Sequence, residues 1–550
     1  MPSRLCLPQD AYLDQRRVRA RTLFAQREAY QWVQAPGQPP FCRGVPSGEA
    51  FAKGKALRLK LDMAESVADL ALAAVVRLGG HNDTIASFRR YYILRKLPEV
   101  ANRWRTDKEF ARQRLDGINP MLIEQVRQIP EHFPVTEDMF RGLLPSGSSL
   151  EALRAQGRLF MMDYKAIAGL PVVMGRFQTA PIALFWVNDR GALMPLAIQL
   201  GQSPAHAPVI FTPGDDEWLW LTARTHLQCA DGTYHENITH LARTHLFMET
   251  FWVAACRTLP SQHPVYELLH PHFTGTVEIN YEARNTLIVP GGPIDESIAV
   301  GSEGSLTLVA RDYANWTFDD FDPLKQIESR GAGDRTLLPN YHYRDDALAL
   351  FEIIGSYVNE LLRIYYPDDE TVRGDHEIQS WVRELVEAGG WRDRGLPLQD
   401  DGVQTFDDLH AIISRVIYVG SVQHSAVNNG QYEQFGYIPN TPGAMYLPPP
   451  TDRSRRSEAN FVYALPTPHA VGEQLTLAHL LSQETDIPLG NYPEGFFQGE
   501  PEAQAVVDRL RADLSQAGYD IRARNNALKA RGDVPYVYLE PHRVSRSIGV

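Results

Sequence analysis

The chain has 550 residues, 44% of them hydrophobic and 10% aromatic, which is enough for a large core and, by length alone, for roughly two to four domains. A formal net charge of −13 and a pI of about 5.7 argue against wrapping nucleic acid, and any acidic ligand would need local Arg or Lys. Cys6, Cys42, Cys229 and Cys256 show no CxxC spacing, which argues against a disulfide framework and a cysteine zinc site.

The N-terminus, MPSRLCLPQDAYLDQRRVRAR, is polar and has no apolar signal core, so a cytoplasmic protein is expected. A basic segment, Gln15 to Arg27, is predicted helical, and the Pro-rich QAPGQPPFCRGVP should break it. Residues 51–115 read as helices with charged faces. Within them SVADLALAAVVRL (66–78) carries Asp69 and is too short to span a bilayer, so it reads as a buried or amphipathic helix. Residues 175–212 read as strands, with NDRG turning PIALFWVND into LMPLAIQL. From about residue 217 the pattern is mostly helical; long amphipathic runs cover 345–366 and 375–390, with apolar residues recurring at three and four. Gly/Pro-rich breaks fall at 290–304 and 439–450, a charged loop at 448–458, and no repeat is visible. The fold class is therefore mainly α, a large helical body with a small antiparallel β subdomain.

The stretch YHENITHLARTHLFMET, Tyr234 to Thr250, holds His235, His240 and His245, five residues apart each time. The zinc-protease pattern H-E-x-x-H would need four. On an α-helix a spacing of five separates two side chains by about 140°. A π distortion, with its i to i+5 bonding, brings them nearly into line, and such distortions concentrate at functional sites. The spacing thus predicts a locally π-distorted helix. In GSVQHSAVNNGQYEQF, Gly420 to Phe435, His424 and Asn428 lie four apart, about 40° on a helix, so they share a face. Imidazole and amide oxygen can both ligate a divalent ion, with Gln431 as a hydrogen-bond partner behind them. The chain has 17 histidines, and spacing alone leaves a metal site and a buried polar network both open.

These residues resemble the lipoxygenase family. Its signature H-[E/Q]-x3-H-x4-H-x3-E stands as His235-Glu236, His240, His245 and Glu249, followed by the H-P-x-[Y/F]-x-L-x3-P-H pattern in WVAACRTLPSQHPVYELLHPHF. A second signature, Q-H-x3-[N/H]-x-G-Q, stands as Gln423, His424, Asn428, Gly430 and Gln431. RWRTDKEFARQRLDGINP (103–120), LMPLAIQL, FTPGDDEWLWLTAR, IPNTPGAMYLPPPT and VPYVYLEPH also have family counterparts, so the resemblance covers roughly residues 100–550.

Carried over by position, the resemblance implies one non-haem iron per chain held by His235, His240, His424, Asn428 and the terminal carboxylate of Val550. Manganese in the same ligands is the alternative metal, and a zinc hydrolase built on His235-Glu236 the alternative chemistry. His245 and Glu249 are expected to be structural, and His263, His270 and His272 to serve helix-end turns. The implied reaction is O2 insertion into polyunsaturated fatty acids of the linoleate or arachidonate type, by bis-allylic hydrogen abstraction, giving hydroperoxides. No catalytic side chain is implied beyond the metal-bound hydroxide.

The segment VEINYEARNTLIVPGG resembles the family's I-N-x2-[A/G]-R-x3-L and puts Ala283 where alanine usually accompanies S oxygenation. Leu287 and Leu481 match a pair that clamps the pentadiene; Leu227, Ile298 and Leu477 lie near positions that set pocket depth. Residues 1–100 are expected to be a helical N-terminal extension packed on a catalytic domain at 101–550. The β-sandwich that precedes the catalytic body in animal and plant members is expected to be absent, as in short bacterial lipoxygenases. A monomer is expected, with weak membrane-surface contact through the helix at 64–78 and no nucleic-acid partner.

Overall fold

The computed structural model describes residues 5–51, 68, 70–76, 82–400, 402–482 and 487–549. One long helix organises it: Glu217–Tyr234 is α, His235–Leu246 is π, and Phe247–Thr258 is α again. Asp216 caps its start by accepting from Trp218 N, and Pro260 follows its last turn. Nearly every residue along it is buried, so it is a core helix with no solvent face. Its threonines satisfy themselves within the helix: Thr225 Oγ1 donates to Leu221 O and Thr239 Oγ1 to His235 O.

A second helix passes beside the π section. Phe406–Tyr418 is α, Val419–Gln423 is π, and His424–Asn428 is α. Thr405 caps it on Asp408 N, and Leu409, Ile412, Ile413, Val416 and Ile417 are buried along it. Around this pair pack the helices Gly301–Asn315, His342–Tyr365 and His376–Glu387, and Pro501–Ala530 packs on His342–Tyr365.

The strand reading of 175–212 holds. Five antiparallel strands, Glu124–Gln125, Leu159–Asp163, Ile182–Val187, Leu193–Gln199 and Ile210–Phe211, lie in chain order. At the central hairpin Asn188 Oδ1 accepts from Arg190 N and Ala192 N, and Gly191 takes a φ of 71°. The run IALFWV does not alternate because both sheet faces are covered. Phe160, Ala183 and Phe185 join the main core, while Leu159, Leu184 and Leu196 pack with Phe133, Phe140 and Leu153.

Residues 5–51 pack directly on the long helix and share its core. Helix Leu13–Ala29 lies on Phe247–Thr258, Arg19 pairs with buried Glu377, and Leu7, Tyr30 and Cys42 belong to the same core as the long helix. This region is also less helical than expected, because Trp32–Val33 and Phe41–Cys42 form a small antiparallel ribbon. Of the expected helix at 64–78, residues 68 and 70–76 are helical; the rest lies outside the described residues. Among the described residues no helix is long and apolar enough to cross a membrane.

One turn before the π section, buried Asp231 fixes the long helix in place. It accepts from Arg114 Nη1 at 2.9 Å, Tyr164 Oη at 2.8 Å and Asn119 Nδ2 at 2.8 Å, which links helix Asp107–Asp116 and the sheet to the core helix. Asp231→Ala would leave the Arg114 guanidinium buried without its carboxylate. A loss of about 3–5 kcal/mol is expected, measurable by urea unfolding against wild type; a loss below about 1 kcal/mol would contradict this role.

Candidate metal centre

The twelve-residue π section carries the predicted distortion, and it applies to both five-residue intervals at once. His235, His240 and His245 therefore line up along one face: the ring centroids of His235 and His240 are 5.7 Å apart, and those of His240 and His245, which meet edge-on, are 4.9 Å apart. Which pair meets His424 is decided by where the second helix passes. The His424 ring sits 5.5 Å from His240 and 5.0 Å from His245. One nitrogen from each of His240, His245 and His424 lies within 4.8 Å of the others, and the Nε2 atoms of His240 and His245 are 3.3 Å apart. Two nitrogens each about 2.1 Å from one ion, at right angles to each other, stand about 3 Å apart.

This cluster differs in one residue from the ligand set expected from the sequence. His235 lies outside the cluster: its Nε2 is 2.8 Å from Val427 O, and its Nδ1 lies 3.5 Å from Glu236 Oε1. It ties the long helix to the backbone of the second one. His245, expected to be structural, is the residue whose ring nitrogen converges with those of His240 and His424.

Groups behind the cluster set the rings. Asn280 Oδ1 lies 2.9 Å from His245 Nδ1, and its Nδ2 donates to His245 O and to Glu249 Oε2, each at 2.9 Å. An acceptor at Nδ1 holds the proton there and presents Nε2 to the centre. Glu249 is fully buried and also accepts from Arg284 Nη1 and Nη2, at 2.8 and 2.9 Å, and from Cys42 N at 3.0 Å. Its structural reading fits this arrangement, and Arg284 is committed to it. Gln431 lies where a supporting group was expected: Nε2 is 3.4 Å from His240 Nδ1 and donates to Leu481 O at 2.9 Å. Burial lowers the pKa of His240, which favours the neutral, metal-binding imidazole. Burial works to raise the Glu236 carboxyl, but the His235 and His240 rings outweigh it and bring it down to about 2.

Asn428 sits one turn after His424 on the same short helix, with Nδ2 donating to Asn429 Oδ1 at 3.3 Å. Val550 lies outside the described residues; the tail leading to it is buried through Ser545, Ser547 and Ile548. The turn histidines have structural partners: His263 Nε2 lies 2.9 Å from Asp375 Oδ2, His272 Nδ1 2.9 Å from Arg546 O, and His270 stacks on Tyr266.

Of the expected pocket residues, Ala283 opens a second π turn, Ala283–Leu287, and is buried; Leu287 and Leu481 are partly buried against the core. Leu227, Ile298 and Leu477 are fully buried. A cavity lined by Met121, Arg243, Trp316 and Gln423 and a surface pocket lined by Arg105, Asp215 and Arg224 include none of the six. Sequence reading missed Asn280, although it lies in the same VEINYEARN motif that drew attention to Ala283.

Three buried imidazoles, an amide beside them and no thiolate in the set form a donor environment for a non-haem transition-metal ion. The chain belongs to the lipoxygenase family, whose profile matches residues 49–541, further upstream than the motifs alone reached. It is 33% identical to the human polyunsaturated fatty acid lipoxygenase ALOX15B over 97% of this chain and 80% of that protein. To the rat hydroperoxide isomerase ALOXE3 it is 37% identical over 82% of this chain and 63% of that one. The solved structure of a calcium-dependent 11R-lipoxygenase superposes with a TM-score of 0.93 at 32% identity, covering 100% of this chain and 83% of that one. The protein is thus an oxidoreductase of the fatty-acid dioxygenase class.

Proposed function

We propose that this chain is an iron dioxygenase that converts polyunsaturated fatty acids to hydroperoxides, with His240, His245, His424, Asn428 and the carboxylate of residue 550 as metal ligands. The observation that carries the reading is the buried convergence of three imidazole nitrogens within 4.8 Å. Non-haem iron bound there supplies the one-electron chemistry that takes a hydrogen atom from a bis-allylic CH2, so that O2 can add to the resulting carbon radical.

The protein's own part is positioning and dryness. Asn280 presents His245 Nε2, and the Gln431 amide nitrogen lies beside His240 Nδ1. Because Gln431 also holds Leu481 O, the helix Pro468–Leu481 is registered to the metal ligands through one side chain. Ala283, Leu287 and Leu481 are proposed to contact the acyl chain, with Leu227, Ile298 and Leu477 setting pocket depth, and Ala283 favours S oxygenation. The arachidonate complex solved for one similar lipoxygenase supports the same substrate class for this chain.

The likeness to a protein named a hydroperoxide isomerase supports a second reading, rearrangement of preformed hydroperoxides. One assay separates the two. With linoleate or arachidonate the dioxygenase consumes O2 and produces conjugated-diene hydroperoxide, with S chirality expected. Consumption of added hydroperoxide without O2 uptake, and no diene from either fatty acid, would overturn the dioxygenase reading. Metal analysis of the purified protein should give close to one iron per chain; stoichiometric manganese with little iron would favour the alternative metal.

A further inference from the structure

The helix that carries His424 and Asn428 does more than present ligands. The next residue after each, Ser425 and Asn429, forms a second stripe on the same turns, rotated by about 100°. That stripe grips the chain's last segment. Asn429 Nδ2 donates to two tail carbonyls, Tyr538 O at 3.1 Å and Arg543 O at 3.0 Å. Ser425 Oγ accepts from Ser545 N at 2.9 Å. Gly430 continues the contact, since a Cβ there would meet the Tyr538 ring at 3.0 Å.

Other elements steady the same segment. Asn525 Nδ2 donates to Tyr536 O at 2.8 Å, Arg546 O lies 2.9 Å from His272 Nδ1, and Ser547 Oγ donates to Thr274 O at 2.6 Å. The Ser425 and Asn429 grips differ from these in one respect: they join the tail to the helix that bears the metal ligands.

We propose that Ser425 and Asn429 are positioning residues that lock the register of the tail, residues 536–549, to the His424–Asn428 helix, so that the protein, rather than the metal, sets where the terminal carboxylate arrives. The proposal rests on the reading that this carboxylate is a ligand. Its consequence is that the tail stays docked in metal-free protein, and that iron is held tightly because the last ligand need not be ordered on binding.

The test compares wild type with Asn429→Ala and, as a second variant, Ser425→Ala, each prepared metal-free and iron-loaded. Hydrogen exchange is followed by segment, and iron release to excess chelator is timed. In metal-free wild type the tail amides should be protected. In metal-free Asn429→Ala they should exchange at least about tenfold faster, with the helix His342–Tyr365 unchanged, and loaded iron should leave about 10- to 100-fold faster. Ser425→Ala should move both readouts in the same direction. Wild-type tail exchange in both variants would overturn the proposal, and so would a loosened tail with unchanged iron release. If wild type takes up no iron at all, the metal assignment fails by itself, while exchange in the metal-free proteins still decides whether the clasp exists.

Discussion

His245→Ala is expected to empty the metal centre, whereas His235→Ala is expected to leave it occupied. The two residues share a motif, a helix and a five-residue spacing from His240, so only geometry separates them. His245 brings Nε2 to within 3.3 Å of His240 Nε2 and is held there by Asn280; His235 spends Nε2 on Val427 O. Removing a mere supporting group costs about 10- to 100-fold in metal affinity, so loss of a ligating imidazole should cost more than about 100-fold. Purified His245→Ala should then contain almost no iron and form no detectable hydroperoxide. His235→Ala loses the bond to Val427 O, leaves a small cavity and takes one of two rings from the buried Glu236 carboxyl, a destabilisation of about 3–5 kcal/mol. Its iron content should stay near that of wild type. Metal analysis of both proteins, with urea unfolding as the control for folding, checks this. Iron kept by His245→Ala and lost from His235→Ala would restore the pairing first expected from the sequence.

That pair of residues also marks where the sequence stops being readable. The existence of a π distortion followed from spacing alone, because five residues cannot face one ion on an α-helix. Which two of three equally spaced histidines face the ion did not follow, because a π section aligns all three. The choice lies in the passage of a helix that begins 160 residues further on, and no local pattern encodes it. The fold shows the same division. The hairpin at NDRG and the amphipathic helices are local features and were legible. The small ribbon at Trp32–Val33 and Phe41–Cys42 was not, since two-residue strands carry no periodicity and Cys42 is fixed by the distant Glu249. How residues 5–51 pack was legible only in outline: they were expected to lie on the catalytic body, and Leu7, Tyr30 and Cys42 share the core of the long helix through contacts no local pattern encodes.

Glu249→Ala is the second change expected to have a large effect, although Glu249 touches no metal. Its carboxylate is fully buried and receives four hydrogen bonds, two of them the fork of Arg284. Without it the Arg284 guanidinium, held over the Phe41 ring, has no charge partner in a mostly buried place. That predicts a stability loss of about 3–5 kcal/mol. A separate loss follows through Asn280. Its Nδ2 is anchored by Glu249 Oε2 and His245 O together, and with one anchor gone the amide is freer to turn, so His245 loses the acceptor that fixes its tautomer. Iron affinity should fall about 10- to 100-fold. The two effects separate in the double variant Glu249→Ala/Arg284→Met, which removes the stranded charge but not the slack at Asn280. Stability should largely return while iron affinity remains low. If the double variant recovered both, Asn280 would be held well enough by His245 O alone, and Glu249 would matter only as the partner of Arg284.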